Sequence, residues 1–208
     1  MNCPSFERVP YKRSIMRTTI IFLLLSASTA FGQVSQYQSE FNKINENLML
    51  GLGSYAVTNF VMGGIGYTTI QDEATKHFHE MNVMWNTVNL GLAVPGYLKA
   101  KRGGKALTLE EMMKEQKKTE IIFLVNDVLD LGYIATGIWM RNEAANQTDR
   151  ADMFKGYGNS LILQGSFLLA FDAYAYYLHR NHAKQLSMLN KVSVHTSGAG
   201  VALVIALD

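Results

Sequence analysis

His79–Asn89 reads HEMNVMWNTVN. Asn82, Asn86 and Asn89 stand four and then three residues apart, so a helix carries all three on one face. His79 shares that face, and Trp85 lies beside Asn86 at its centre. The stretch continues into apolar residues, Leu90 to Val94. Buried amides are costly unless each finds a hydrogen-bond partner. Such a stripe therefore predicts neighbouring elements that supply partners.

Two later stretches offer them. Residues 121–140 read IIFLVNDVLDLGYIATGIWM, where Asn126, Asp130, Tyr133 and Gly137 share a helical face and Asp127 sits beside it. Residues 156–179 read GYGNSLILQGSFLLAFDAYAYYLH, with Gln164 and Asp172 on one face and His179 seven residues further. An earlier stretch, LMLGLGSYAVTNFVMGGIGYTTI at residues 48–70, is apolar and glycine-rich, and Asn59 is its one strongly polar member. Four helices are thus expected at about 48–70, 75–98, 120–140 and 156–179. The second is expected to stop near Pro95-Gly96. Thr108 with Glu111 three residues on predicts a capping box at the start of the third.

Before these helices, residues 1–32 resemble an export signal. Lys12, Arg13 and Arg17 precede TTIIFLLLSAST, and Ala30-Phe31-Gly32 is a small-residue cleavage site. Met16 is a second candidate start. The domain organisation expected is a signal peptide at 1–32, a helical domain at 33–190 and a tail at 191–208. VSVH, TSGAG and VALVIAL in that tail predict a short β-hairpin.

Each apolar stretch is about long enough to span a bilayer. Glycine inside them and tyrosines at their ends suit membrane helices. The fold class expected is therefore all-α, a four-helix transmembrane bundle with a hairpin-like tail, in the inner membrane of a bacterial envelope. Its expected partners are membrane lipid and an envelope protein. A periplasmic soluble four-helix bundle competes, since every stretch contains Asn, Asp or Gln and the second is only weakly apolar. The orientation also conflicts: a cleaved leader places residues 99–118, with seven Lys or Arg, outside, where basic loops are disfavoured.

Composition excludes other classes. The formal charge is +2 with 17% charged residues, so no basic stripe marks a nucleic-acid binder. The one cysteine is Cys3, inside the leader, so the mature chain has no thiol chemistry. There is no HExxH, P-loop or GxSxG motif. His77 and His79 are two apart, His179 and His182 three apart, and neither pair belongs to a recognised metal pattern. Histidines at such junctions are expected in solvent. No catalytic residue, metal or cofactor is expected, and the chain leans away from an enzyme.

The candidate site is a polar core made of His79, Asn82, Trp85, Asn86, Asn89, Asn126, Asp127, Asp130, Tyr133, Gln164 and Asp172. Its bland role is to glue helices in register. Its sharper roles are a small-solute or proton path, or a small binding pocket. Met81, Asn82, Trp85, Asn86, Val88 and Asn89, then Asn126, Asp130, Gly132 and Tyr133, then Gln164, Gly165, Phe167 to Leu169 and Asp172 carry a family likeness. The pattern resembles MNxxWNxVN, NxxxDxGY and QGxFLLxxD of an uncharacterised Bacteroidota envelope family with a domain of unknown function. That resemblance implies a helical membrane or envelope protein and no activity. The expected function is a structural or interaction protein of the envelope. Alternatives are a transporter-like solute or proton pathway, or a periplasmic soluble helical-bundle binding protein.

Overall fold

A computed structural model describes the backbone of residues 11–197 and 200–205, and the side chains of 32–186 and 188. The first ten residues of the leader lie outside the described residues, as do the tip of the tail and its last three positions. Four helices dominate: α1 Tyr11–Thr69, α2 Glu73–Arg102, α3 Leu109–Glu143 and α4 Ala151–Lys191. A 3-10 turn at Ala144–Asn146 joins the last two.

Local chemistry sets the helix ends. Asp72 caps α2, its carboxylate accepting from the Thr75 backbone N–H at 2.8 Å. Gly103 ends α2 at φ 76°, a left-handed conformation that glycine adopts without steric cost. Thr108 and Glu111 form the expected capping box. Pro95 does not end α2, which continues to Arg102. The proline ring crowds the carbonyl four residues back, and that residue is the exposed Gly91, whose carbonyl has room to turn outward.

α1 packs along α2, α3 along α4, and α2 along α4, while α1 and α3 scarcely touch. Glycines permit the closest approaches. A Cβ at Gly137 of α3 would lie 2.6 Å from the Gly158 carbonyl of α4, and one at Gly158 would lie 2.7 Å from the Gly137 carbonyl. The apolar core gathers towards one end, around Val34, Tyr37, Phe41, Met112 and Leu186. A second cluster holds Leu48, Phe123 and Ala175. Towards the middle the interior turns polar, with Asn82, Asn86, Asn89, Asp130, Gln164 and Asp172 all buried.

This interior overturns the transmembrane expectation, together with the inner-membrane location and the lipid partner that went with it. The buried side chains close on one another in a self-contained network of hydrogen bonds and ion pairs, the pattern of a globular domain. Helix composition agrees. The stretches Gly32–Thr69, Leu109–Asn146 and Ala151–Leu186 are long and apolar enough to cross a membrane by length and composition, but α2 is not among them. The expected set of four apolar spans is therefore not met, since α2 falls short in composition. The outer faces nevertheless carry large apolar side chains, among them Val88 and Leu92 on α2 and Val128 and Trp139 on α3.

The hairpin-like tail is corrected as a part of the fold. Val192–Ser197 and Gly200–Ile205 pair antiparallel only with each other. Among the described residues neither strand joins a larger sheet, and a two-stranded ribbon is only marginally stable by itself. The fold class is an all-α four-helix bundle.

Candidate polar core and cleft

The asparagine stripe points inward along its whole length: Asn82, Asn86 and Asn89 are 4%, 0% and 3% exposed. Asn82 Oδ1 is its hub. It accepts from Ser160 Oγ at 2.9 Å and from Gln164 Nε2 at 2.8 Å, both on α4. Gln164 Oε1 accepts from the Tyr55 hydroxyl of α1 at 3.2 Å, so one chain of bonds ties three helices. Asn86 donates to the Asn82 carbonyl at 2.8 Å, and Asn89 donates to Asn86 Oδ1 at 3.2 Å. The stripe's recorded hydrogen-bond partners are therefore Ser160 and Gln164, not the aspartates.

The aspartates form their own group on α3 and α4. The carboxyls of Asp130 and Asp172 lie close enough to influence each other, with Asn126 beside Asp172. Burial raises both carboxyls above the ordinary range, and mutual repulsion with Asp127 adds to it; Asp172 is pushed furthest, to about 7. Two buried carboxyls in contact hold one proton between them more readily than none. Asp127 is also raised by burial. Trp85 meets Tyr133 edge to face at 4.6 Å, which links α2 to α3. The His79 ring fills the space beside Gly66 of α1.

A second network lies nearer the apolar end, and residue spacing had not pointed to it. Gln116 accepts from Tyr37 at 2.7 Å and donates to Glu120 at 2.9 Å and to the His179 carbonyl at 2.8 Å. Arg180 pairs with Glu120 at 3.2 Å. His179 and His182 are buried, contrary to the solvated expectation. His179 lies between Phe41 and Phe123, where desolvation lowers its pKa to about 4. His182 stacks on Tyr37 at 3.9 Å and bonds Glu40 at 3.2 Å. Gln116 and Glu120 are four apart, a spacing visible in the sequence, but the surrounding lysines and glutamates masked it. At the opposite end Glu80 bonds His77 and accepts from Tyr157, each at 2.9 Å. Among the described residues no group of three His, Cys, Asp or Glu side chains is placed to hold a metal.

Where α1 and α3 part, a cleft of about 550 Å³ opens. Apolar walls come from Phe41, Met49, Leu52, Leu92, Ile122 and Phe123. Asn126, Phe171 and Asp172 line it at the deep end of α3 and α4, and Lys99, Lys105, Glu115 and Lys118 line it towards the α2–α3 connection. The volume suits a small-molecule site. Asn126 and Asp172 thus belong both to the aspartate group and to the cleft. Asn82, Asn86, Asn89 and Gln164 do not line it.

A family model described as "Family of unknown function (DUF6992)" matches residues 51–173. The match contains the asparagine stripe, the aspartates and Gln164. No curated protein matches the chain, and no solved structure does.

Proposed function

Since the chain belongs to that family of unknown function, DUF6992, its membership brings no activity, and we propose a role from geometry: an exported helical-bundle domain that binds a small molecule in the α1–α3 cleft. One observation carries this. The cleft is walled by apolar side chains and reaches Asn126 and Asp172, polar groups at the heart of the candidate site. Apolar walls with a few convergent polar groups are the usual make-up of a ligand pocket. In this reading the Asn82–Gln164–Tyr55 chain holds α1, α2 and α4 in register, so that the cleft keeps its shape. Export rests on the leader-like residues 1–32, and the domain on residues 33–190. A Bacteroidota origin and the MNxxWNxVN pattern belong to the same proposal.

The full chain, expressed with its leader and recovered after processing, tests it. The processed protein is expected in the aqueous periplasmic fraction without detergent, with its helices intact by circular dichroism. Small molecules that raise its melting temperature are expected to lose that effect in Thr119→Trp, which fills the cleft. Recovery only in detergent would return the helices to a bilayer. Ligands indifferent to Thr119→Trp would move the site elsewhere.

A further inference from the structure

We propose that the cleft takes a single-chain anionic amphiphile, a long-chain carboxylate whose alkyl chain lies along α3 and whose head meets the lysines. This rests on the binding role just proposed. Met112 and Asn126 mark the extremes of the cleft on α3, and at 1.5 Å per residue they are about 21 Å apart along the axis. Gln38 and Leu52 span the same length on α1. A volume of about 550 Å³ spread over that length is a narrow channel, wide enough for one unbranched chain and too narrow for a compact polycyclic ligand.

Charge selects the head. Lys99, Lys105 and Lys118 line the cleft towards the α2–α3 connection against Glu115, while the second lining acid, Asp172, stands at the other end. Lys99 comes from α2 and Glu115 from α3, and their 3.4 Å pair straps the two helices over the cleft. The Lys99 side chain is 82% exposed, and an exposed pair of this kind opens at little cost. Lys105 pairs with Glu111 at 3.0 Å, while Lys118 has no recorded ion pair among the described residues. A ligand carboxylate entering here gains Lys118 and exchanges with Glu115 for Lys99. At the other end the cleft is lined by Asp172 beside Phe171, an acid with no lysine near it along α4, which offers a carboxylate head no cation. The head therefore belongs at the lysine end.

Hexadecanoate and hexadecanol, titrated into the processed full chain by displacement of a fluorescent fatty-acid probe, test this. Hexadecanoate is expected to bind about two- to fivefold tighter. Lys118→Gln is expected to weaken hexadecanoate and leave hexadecanol unchanged, and Glu115→Gln to tighten hexadecanoate alone. Both are surface changes that leave the core intact. Thr119→Trp is expected to abolish both. Equal affinity for the two probes would overturn the carboxylate assignment while leaving the cleft as a binding site. Binding that survives Thr119→Trp lies on the apolar outer faces and would overturn the proposal. If neither probe binds, the amphiphile assignment fails, and the binding role stands or falls on the unbiased small-molecule screen.

Discussion

Asn82→Leu isolates what the asparagine hub contributes. Leucine has about the same volume, so packing changes little, but two donors on α4 lose their acceptor. Gln164 and Ser160 are both 0% exposed, so water cannot replace Asn82. An orphaned buried donor costs about 1–3 kcal/mol. Ser160 can turn its hydroxyl to a carbonyl one helical turn back, which reduces its share. Gln164 is held by Tyr55 at its other end and cannot turn away freely. The net loss is then about 3 kcal/mol. In a domain of this size that lowers the melting temperature by roughly 6–12 °C. Urea denaturation of wild type and variant measures it directly.

The companion variant is the triple Asn82→Leu/Ser160→Ala/Gln164→Met. Removing both sides of a buried polar contact is often nearly neutral, because nothing is left unsatisfied. Only the half-buried Tyr55 hydroxyl loses a partner. The triple variant is therefore expected to be more stable than Asn82→Leu alone. An Asn82→Leu cost below about 0.5 kcal/mol, or a triple variant less stable than the single one, would refute the hydrogen-bond account.

The aspartate pair predicts a pH signature. Burial raises Asp172 to about 7 and Asp130 to about 6, above their unfolded values, so the protonated forms favour folding. That stabilisation is fully present below the unfolded value near 3.8 and is lost as pH rises through 6 to 7. His179 works oppositely: its contribution is present above 6.5 and lost as pH falls towards 4. Asp172→Asn separates the two, and wild type is expected to gain on the variant as pH falls from about 7 to 4, measured by urea midpoints; a flat difference would refute the shared proton. Gly156→Ala puts a methyl against the Ala74 carbonyl and His77 Cβ, and is expected to cost about 1–3 kcal/mol by thermal melts. Gly132 has open space around it, so Gly132→Ala is expected to stabilise by about 0.5–1 kcal/mol in the same assay. Gln116→Leu breaks bonds to Tyr37, Glu120 and the His179 carbonyl and is expected to cost about 2–3 kcal/mol by urea denaturation, against less than about 0.5 for Arg180→Ala, whose side chain is 65% exposed.

The outer apolar side chains give the aqueous-recovery experiment its force. Val128 is 68% exposed and Leu92 62%, and contiguous apolar surface normally marks contact with something. Hydropathy along the chain registered these residues strongly and predicted membrane spans from them. It could not register that the polar minority would turn inward and gather into buried groups between the helices.

Residue spacing determined much by itself. Helical periodicity placed Asn82, Asn86 and Asn89 on a single face, because 3.6 residues per turn leaves no other arrangement. The Thr108–Glu111 cap was equally local, since its two bonds join groups three residues apart. What lies across a helix face was not local. Ser160 became a partner of the stripe, and Tyr55 a partner of Gln164, only when α4 and α1 closed on α2, 78 residues from Asn82 in one case and 109 from Gln164 in the other. His179 and His182 became buried only because Tyr37, Phe41 and Phe123 arrived from other helices. The gap between α1 and α3, and with it the cleft, follows from which helix pairs meet closely. Backbone contacts at Gly137, Gly158 and Gly156 decide that, and they form only in three dimensions.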